Sequence, residues 1–470
     1  MEEVSGILRT GERVPARTRV VQAYALPVPA GVAAALARGW LRLGVGALLL
    51  SGLFSVLIVL SRAPGVAERL PWTNLFHTAL VVHVDLSVLV WFLAFAGVLW
   101  SLHGAERAPA LGRTALALST VGTGVMAAAP FLGADRPLMS NYIPVLDHPL
   151  FLAGLLLFGA GCLVQLARAL TLAPPVGPAI TGEGALRFGI NTASVAAGMA
   201  VLAFAWSWLL LPEFLAGKER YEQLFWGGGH VLQYVHTQLM LVAWLWLAQQ
   251  AGLRLALTPR VVVVLFAWGL VTVFLTPLIY LAFEFGSVPH LRAFTWMMAF
   301  GGSLAAAPIG LAVLVGLARA GPATGDGSVA RSGLAASLLL FGVGGLLGFA
   351  IEGGDVRVPA HYHGSIVGIT LAFMALAYLL MPCLGLGRPP VRLARWQLRL
   401  YAGGQLLHVL GLAWSGGYGV PRKTPGAAQG LDTLPEILGM AVMGVGGLLA
   451  IVGGMLFVVA AGMALARHTN

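Results

Sequence analysis

His361 and His363 stand two residues apart in Val358-Pro-Ala-His-Tyr-His-Gly364, directly before the apolar run "SIVGITLAFMALAYLLMP". Each residue of an α-helix turns the side-chain direction by about 100°. The two imidazoles therefore project about 200° apart, and as ligands they would serve two different groups, one on either side of the helix. The pair equally fits an interfacial role, bonded to water and lipid headgroups. In "FWGGGHVLQYVHTQL", His230 and Tyr234 are four residues apart and share a helix face, which sets a metal-binding type of side chain beside a phenol able to give a proton and an electron. His236, six residues on and about 240° round, falls off that face. His83 opens another apolar run in "HTALVVHVDLSVLVWFLAF", with His77 at the interface before it. Arg422 and Lys423, in "GLAWSGGYGVPRKT", form a basic pair suited to an anion such as a carboxylate; a solvated loop pair is the other reading.

The elements that must position these residues are membrane spans. Of 470 residues, 58% are hydrophobic and only 10% charged, too little polar surface for a soluble globule. A span needs about 20 mostly apolar residues. Twelve runs qualify, over 39–60, 78–100, 113–132, 149–171, 191–212, 229–251, 259–285, 294–318, 332–351, 359–382, 394–415 and 434–464. The expected fold is all-α, a polytopic membrane protein of twelve transmembrane helices, with residues 1–36 a cytoplasmic tail and 37–470 one membrane domain. On this layout 19 of the 28 Lys and Arg residues fall on the side of the termini, which puts both termini in the cytoplasm. The net charge of +10 is then a topology signal and not a nucleic-acid footprint. Cys162 and Cys383 form neither a redox pair nor a disulfide framework, and residues 1–30 lack the apolar core of a cleavable signal.

A lone histidine at a membrane interface is ordinarily a hydrogen-bonded structural residue, and His103, His408 and His468 are read that way. His83, His230, His361 and His363 are different: the topology sets all four near the same outer edge, on three spans.

Taken in order, these residues resemble subunit I of the haem–copper oxidase superfamily, cytochrome c oxidase subunit I-like and nearest the B-type or cbb-type and nitric oxide reductase branches. The likeness runs through most of the chain. "VPAHYHG" is similar to the tenth-span signature of that family, which implies that His361 binds a high-spin haem and His363 a low-spin haem. His83 matches the second axial ligand of the low-spin haem. "HVLQY" is similar to the His-x-x-x-Tyr pattern, which implies that His230 binds copper and is joined to a catalytic Tyr234. "GVPRK" resembles the pair that holds haem propionates, implying that role for Arg422 and Lys423. "NYIPVLDHPLFLAGLLLFGAG" and "TWMMAFGGSLAAAPIG" resemble the fourth and eighth spans.

One departure stands out. The family's adjacent histidines after the seventh span have no counterpart in "LIYLAFEFGSVPHLRAFTW", where Phe283, Glu284 and Phe285 stand and His290 lies farther along. A site of His230 and Glu284 would carry a hard carboxylate, which favours iron over copper; Glu284 also reads as a buried proton-carrying carboxyl. The resemblance implies two haems and leaves copper or non-haem iron open. It implies a respiratory terminal oxidase reducing O2 to water with electrons from a cytochrome c or similar donor. The alternatives are a nitric-oxide-reductase-like enzyme with non-haem iron, whose sixth-span glutamates are here Val231, Leu232 and Gln233, and a non-catalytic di-haem protein that transfers electrons or binds gas. An unrelated transporter would call for paired repeats, and the sequence has none. Tyr234, Thr237, Thr272, Thr276 and Tyr280 form a candidate polar line, although such threonines also bond to their own backbone. Without a c-type haem attachment or dicopper motif, the chain is expected to need an electron-donor subunit or cytochrome c, and other oxidase subunits. It is expected as a multi-pass protein of a bacterial-type cytoplasmic (inner) membrane, in contact with lipid and with no nucleic acid.

Overall fold

The computed structural model describes residues 23–60, 74–104, 106–177, 180–424 and 429–467. Among these, twelve long helices follow one another: α1 (Val32–Leu60), α2 (Leu75–Gly104), α3 (Pro109–Leu132), α4 (Pro149–Thr171), α5 (Gly182–Leu210), α6 (Gly217–Gln250), α7 (Pro259–Ala282), α8 (Val288–Ala318), α9 (Gly325–Gly348), α10 (Arg357–Cys383), α11 (Val391–Gly416) and α12 (Leu434–Leu465). A short antiparallel hairpin joins α3 to α4, with β1 (Pro137–Leu138) paired to β2 (Val145–Leu146) and Pro137 opposite Leu146. Eleven of the helices are long and apolar enough to cross a membrane. The other, α11, opens with Arg392, Arg395 and Arg399, which dilute its hydropathy. Its 26 residues span about 39 Å at 1.5 Å per residue, longer than the bilayer core of about 30 Å. The expected all-α polytopic fold is thus the observed one.

Helix starts follow local chemistry. Thr181, Thr258 and Ser287 cap α5, α7 and α8 by accepting from backbone N–H groups, and prolines occupy the first turns of α3, α4, α7 and α12. At α12 the Glu436 carboxylate accepts from the backbone N–H of Thr433 at 2.8 Å. α2 changes to a π-helical turn over Asp85–Val90, two residues after His83. Such single π turns recur at functional sites.

The interior of the bundle is α6, α10 and α2, the most buried spans; outer helices turn Leu156, Leu209, Trp296 and Leu346 outward. Lipid tails are as apolar as leucine, so helices here associate through close packing of small residues. At the α9–α10 contact, a Cβ on Gly364 would lie 2.5 Å from the Cα of Gly344, and one on Gly344 would lie 2.3 Å from the backbone N of Ser365. This backbone approach seats the first turns of α10, and with them His361 and His363. Gly344→Val is expected to lower stability by about 1–3 kcal/mol, the cost of forcing volume into a packed contact. A fall in the Tm of the detergent-solubilised protein is the readout, and an unchanged Tm would contradict the contact.

The expected tail is corrected in part. Residues 1–22 lie outside the described residues, as does His468. The following residues are not a loose tail: Tyr24 and Leu26 are buried, and the Tyr24 hydroxyl donates to the Leu257 carbonyl at 2.9 Å. α1 begins at Val32, ahead of the expected boundary at residue 37, because the apolar stretch around Tyr24 packs against the helix bundle instead of leaving it.

Candidate functional site

A cavity of about 2050 Å³ runs inside the bundle, lined by His83, His230, His236, His361, His363 and His408 among others. Sites for a single drug-sized ligand enclose about 300–1,000 Å³, so this one accommodates more than one large group. His236, expected off the His230 face, still reaches the cavity, which meets two sides of α6; its ring lies edge-on to Phe92 at 4.8 Å.

His83 is oriented by α1. Its Nδ1 lies 2.9 Å from Ser51 Oγ, 2.8 Å from Ser55 Oγ and 3.1 Å from the Ser51 carbonyl. A carbonyl only accepts, so Nδ1 carries the proton and Nε2 keeps a lone pair. His361 is set in the same way: Nδ1 donates to the Gly344 carbonyl at 2.7 Å, and the absence of a side chain at Gly348 makes room for the ring, since a Cβ there would lie 2.8 Å from Nδ1. This is how a metal-ligating imidazole is usually supported, with the far nitrogen donating to the protein. His363 has no hydrogen-bond partner among the described residues. Its ring meets His408 edge-on at 4.8 Å and lies within electrostatic reach of His83. His408, expected to be a packing residue, therefore flanks the site; its Nδ1 donates to the Met443 carbonyl at 3.0 Å. Nothing in the spacing of α11 signals this, because the contact is between helices.

The basic pair is tied to the mouth of α10. The backbone N–H of Val356 donates to the Val420 carbonyl at 3.0 Å, and Asp355 forms an isolated antiparallel bridge with Pro421. Hydrogen bonds from Arg357 hold the Asp355 carboxyl below the usual carboxylate range. Arg422 and Lys423 both line the cavity. Lys423 adopts a left-handed φ of 59°; its ammonium donates to the Met139 carbonyl at 2.8 Å and to Asn141 Oδ1 at 3.3 Å. Burial, and after it the charge of Arg422, push the Lys423 ammonium down to about 8. Two neighbouring cations with one partly desolvated form a place where an anion is stabilised.

His230 is arranged differently. Its Nδ1 donates to the Trp226 carbonyl at 2.8 Å, so Nε2 is the accepting nitrogen, and the Tyr142 hydroxyl lies 2.9 Å from it. Tyr142 comes from the β1–β2 loop in a left-handed conformation, φ 67°. Its neighbour Asn141 is clamped by Glu222, which accepts from the Asn141 backbone N–H at 2.8 Å and from its side-chain amide. Three glycines before His230 make room for rings: a Cβ on Gly227 would strike Tyr280 and Phe294, on Gly228 Phe204, and on Gly229 the Tyr142 ring at 2.2 Å. Tyr142 was missed by sequence reasoning, and "WGGGH" is the signal that marked its place.

Several expected partners are not brought to His230. Tyr234 turns away: its hydroxyl donates to the Met297 carbonyl, accepts from Thr272 at 3.2 Å and is not part of the cavity lining. Four residues advance a helix by 400°, and the extra 40° aims this phenol at α7 and α8. Glu284 is exposed in the α7–α8 turn, where chain reversal puts it outside the bundle; it is neither a buried carboxyl nor a neighbour of the cavity. His290 is buried, but the Phe294 ring packs against both it (5.3 Å) and His230 (6.0 Å). The polar line is interrupted: Tyr234 meets Thr272, while Tyr280 pairs with Ser207 at 2.7 Å and donates to the Ala203 carbonyl. His77 bonds to Asn74 and the Lys423 carbonyl, and His148 Nδ1 accepts from the Leu150 backbone N–H at the start of α4. Among the described residues, no three His, Cys, Asp or Glu side chains group to hold a metal ion.

The sequence profile of cytochrome c and quinol oxidase polypeptide I matches residues 35–456. The chain belongs to that family. It is 27% identical over 489 residues to an uncharacterized protein of Rickettsia prowazekii (strain Madrid E), covering 90% of this chain and 94% of the relative. It is 30% identical over 353 residues to an uncharacterized protein of Aquifex aeolicus (strain VF5), covering 74% and 84%. A haem–copper terminal oxidase dimer solved by electron cryo-microscopy matches with a TM-score of 0.71 and 18% identity, over 94% of this chain and 86% of that one; at that identity the likeness speaks for the fold.

For an oxidase polypeptide I the cofactors in question are haem and copper. The residues present fit haem: His83 and His361 each keep a lone pair beside the large cavity, with Arg422 and Lys423 placed for carboxylates. They do not fit copper, because both His230 nitrogens are engaged by protein and no three His, Cys, Asp or Glu side chains group to hold a metal ion among the described residues. Arg422→Ala and Lys423→Ala are each expected to speed haem release about 10- to 100-fold, the value of a charged hydrogen bond, measured by haem transfer to an acceptor protein. Release at the wild-type rate in both would contradict the assignment.

Proposed function

We propose that the chain is the di-haem catalytic subunit of a terminal-oxidase-like oxidoreductase of a bacterial-type cytoplasmic membrane. His83 and His363 would hold a low-spin haem and His361 a high-spin haem, and the two would supply the one-electron chemistry and gas binding that reduction of O2 to water requires. The reading is carried by one observation: histidines from α2 and α10 share one large cavity, and His83 and His361 each have Nδ1 committed to the protein. Haem bound there supplies iron that changes oxidation state by one electron and binds a diatomic gas. The chain supplies the rest. Ser51 and Ser55 hold the His83 ring, the Gly344 carbonyl holds that of His361, and Arg422 and Lys423 neutralise propionates at the rim. Apolar side chains around the cavity keep water from the buried groups. A partner subunit or cytochrome c delivers the electrons.

A second reading, a di-haem protein that binds gas or carries electrons without reducing O2, is favoured by the state of His230. The nitric-oxide-reductase-like reading loses its motive with Glu284 exposed. The test is O2 uptake by purified, haem-loaded protein given a one-electron donor. Sustained uptake that disappears in His361→Ala supports the oxidase reading; haem without uptake overturns it in favour of gas binding.

A further inference from the structure

The surroundings of His230 form a hydrogen-bonded chain. The Trp226 carbonyl accepts from His230 Nδ1, His230 Nε2 accepts the Tyr142 hydroxyl, and the Gln233 carboxamide lies within hydrogen-bonding reach of the same phenol. A neutral imidazole has one available lone pair, and here the phenol uses it. Tyr142 is not free to swing aside. Its ring is packed between Trp226 and Gly229, its left-handed backbone adjoins Asn141, and Asn141 is gripped by Glu222 and by Lys423. Were Tyr142 to leave, His230 would still lack a full ligand set, since no three His, Cys, Asp or Glu side chains group to hold a metal ion among the described residues.

We infer that Tyr142 stands where a second metal ion would bind, so that the pocket facing the His361 haem is metal-free and receives a diatomic ligand on one iron alone. His230, Tyr142 and Gln233 are neutral as bonded, and all three line the cavity, so the ligand class is a neutral diatomic, O2, NO or CO. The inference rests on the di-haem reading of the cavity and specifies what lies opposite its gas-binding iron.

The test uses purified holoprotein, analysed for copper and iron and then reduced and loaded with CO. Iron is expected at the haem stoichiometry, with copper at the buffer background. After photolysis at low temperature, the infrared spectrum should show free CO and no copper carbonyl band. Tyr142→Phe removes the hydroxyl, and Gly229→Ala displaces the ring, its Cβ falling 2.2 Å from the tyrosine Cγ; each is expected to shift the stretching frequency of haem-bound CO. Stoichiometric copper, an additional iron, a copper carbonyl band, or an unshifted CO stretch in both variants overturns the inference while the di-haem reading stands. Protein purified without haem overturns the di-haem reading and this inference with it. Metal analysis and photolysis need only the wild type, so a variant that fails to fold does not shield the proposal.

Discussion

His363→Ala is expected to purify with one haem in place of two and to lose the sharp low-spin features of the reduced spectrum. On the proposed assignment His363 and His83 hold the same iron from opposite helices. His408 lies beside the His363 ring with its Nδ1 donated to the Met443 carbonyl on α12. His83→Ala should give the same loss. The Ser51→Ala, Ser55→Ala double variant removes two of the contacts to His83 Nδ1 and leaves the Ser51 carbonyl. Outer-shell losses of this kind weaken metal sites by about 10- to 100-fold, so this variant should hold its haem more loosely without losing it. Haem counts and spectra of the four proteins check the set; His363→Ala with two haems and an unchanged low-spin spectrum would contradict the assignment.

His361→Ala is expected to keep the low-spin spectrum and lose the CO adduct, with O2 uptake reduced by at least about 100-fold, beyond what outer-shell changes cause. The asymmetry follows from helix geometry: residues two apart face opposite sides of α10, so each histidine can be removed without unseating the other's cofactor. His361 depends on the Gly344 carbonyl and on the space at Gly348, both on α9, whereas His363 looks towards α11 and α2. CO titration of the reduced variant is the check, and a wild-type adduct would contradict the role given to His361.

The fold was legible because bilayer thickness and apolar composition constrain it strongly. The run 149–171 coincides with α4, and 359–382 lies within a residue or two of α10. The errors were at ends where a helix outlasts its apolar part: α6 begins at Gly217, twelve residues before the expected 229, because Lys218, Glu219 and Arg220 continue the helix beyond the apolar run. In the opposite sense, the run to 285 carried Glu284 into the bundle, whereas α7 stops at Ala282 and Glu284 is exposed in the turn. At the site, residues set by the period of their own helix could be read, as with His83, His361 and His363 on the cavity. Residues set by contacts between elements could not. Tyr142 acts from a loop with a left-handed residue, and His408 meets His363 across two helices. Tyr234 shares a face with His230 by spacing, but its helix offset and the acceptors on α7 and α8 decide where its hydroxyl goes.

The central claim is that this one cavity holds two haems, only one of which binds gas. Haem quantification of the purified chain, followed by CO titration of the reduced protein, tests it most directly. The account predicts two haems per chain and one CO bound per two haems. A single haem, no haem, or CO on both would contradict it.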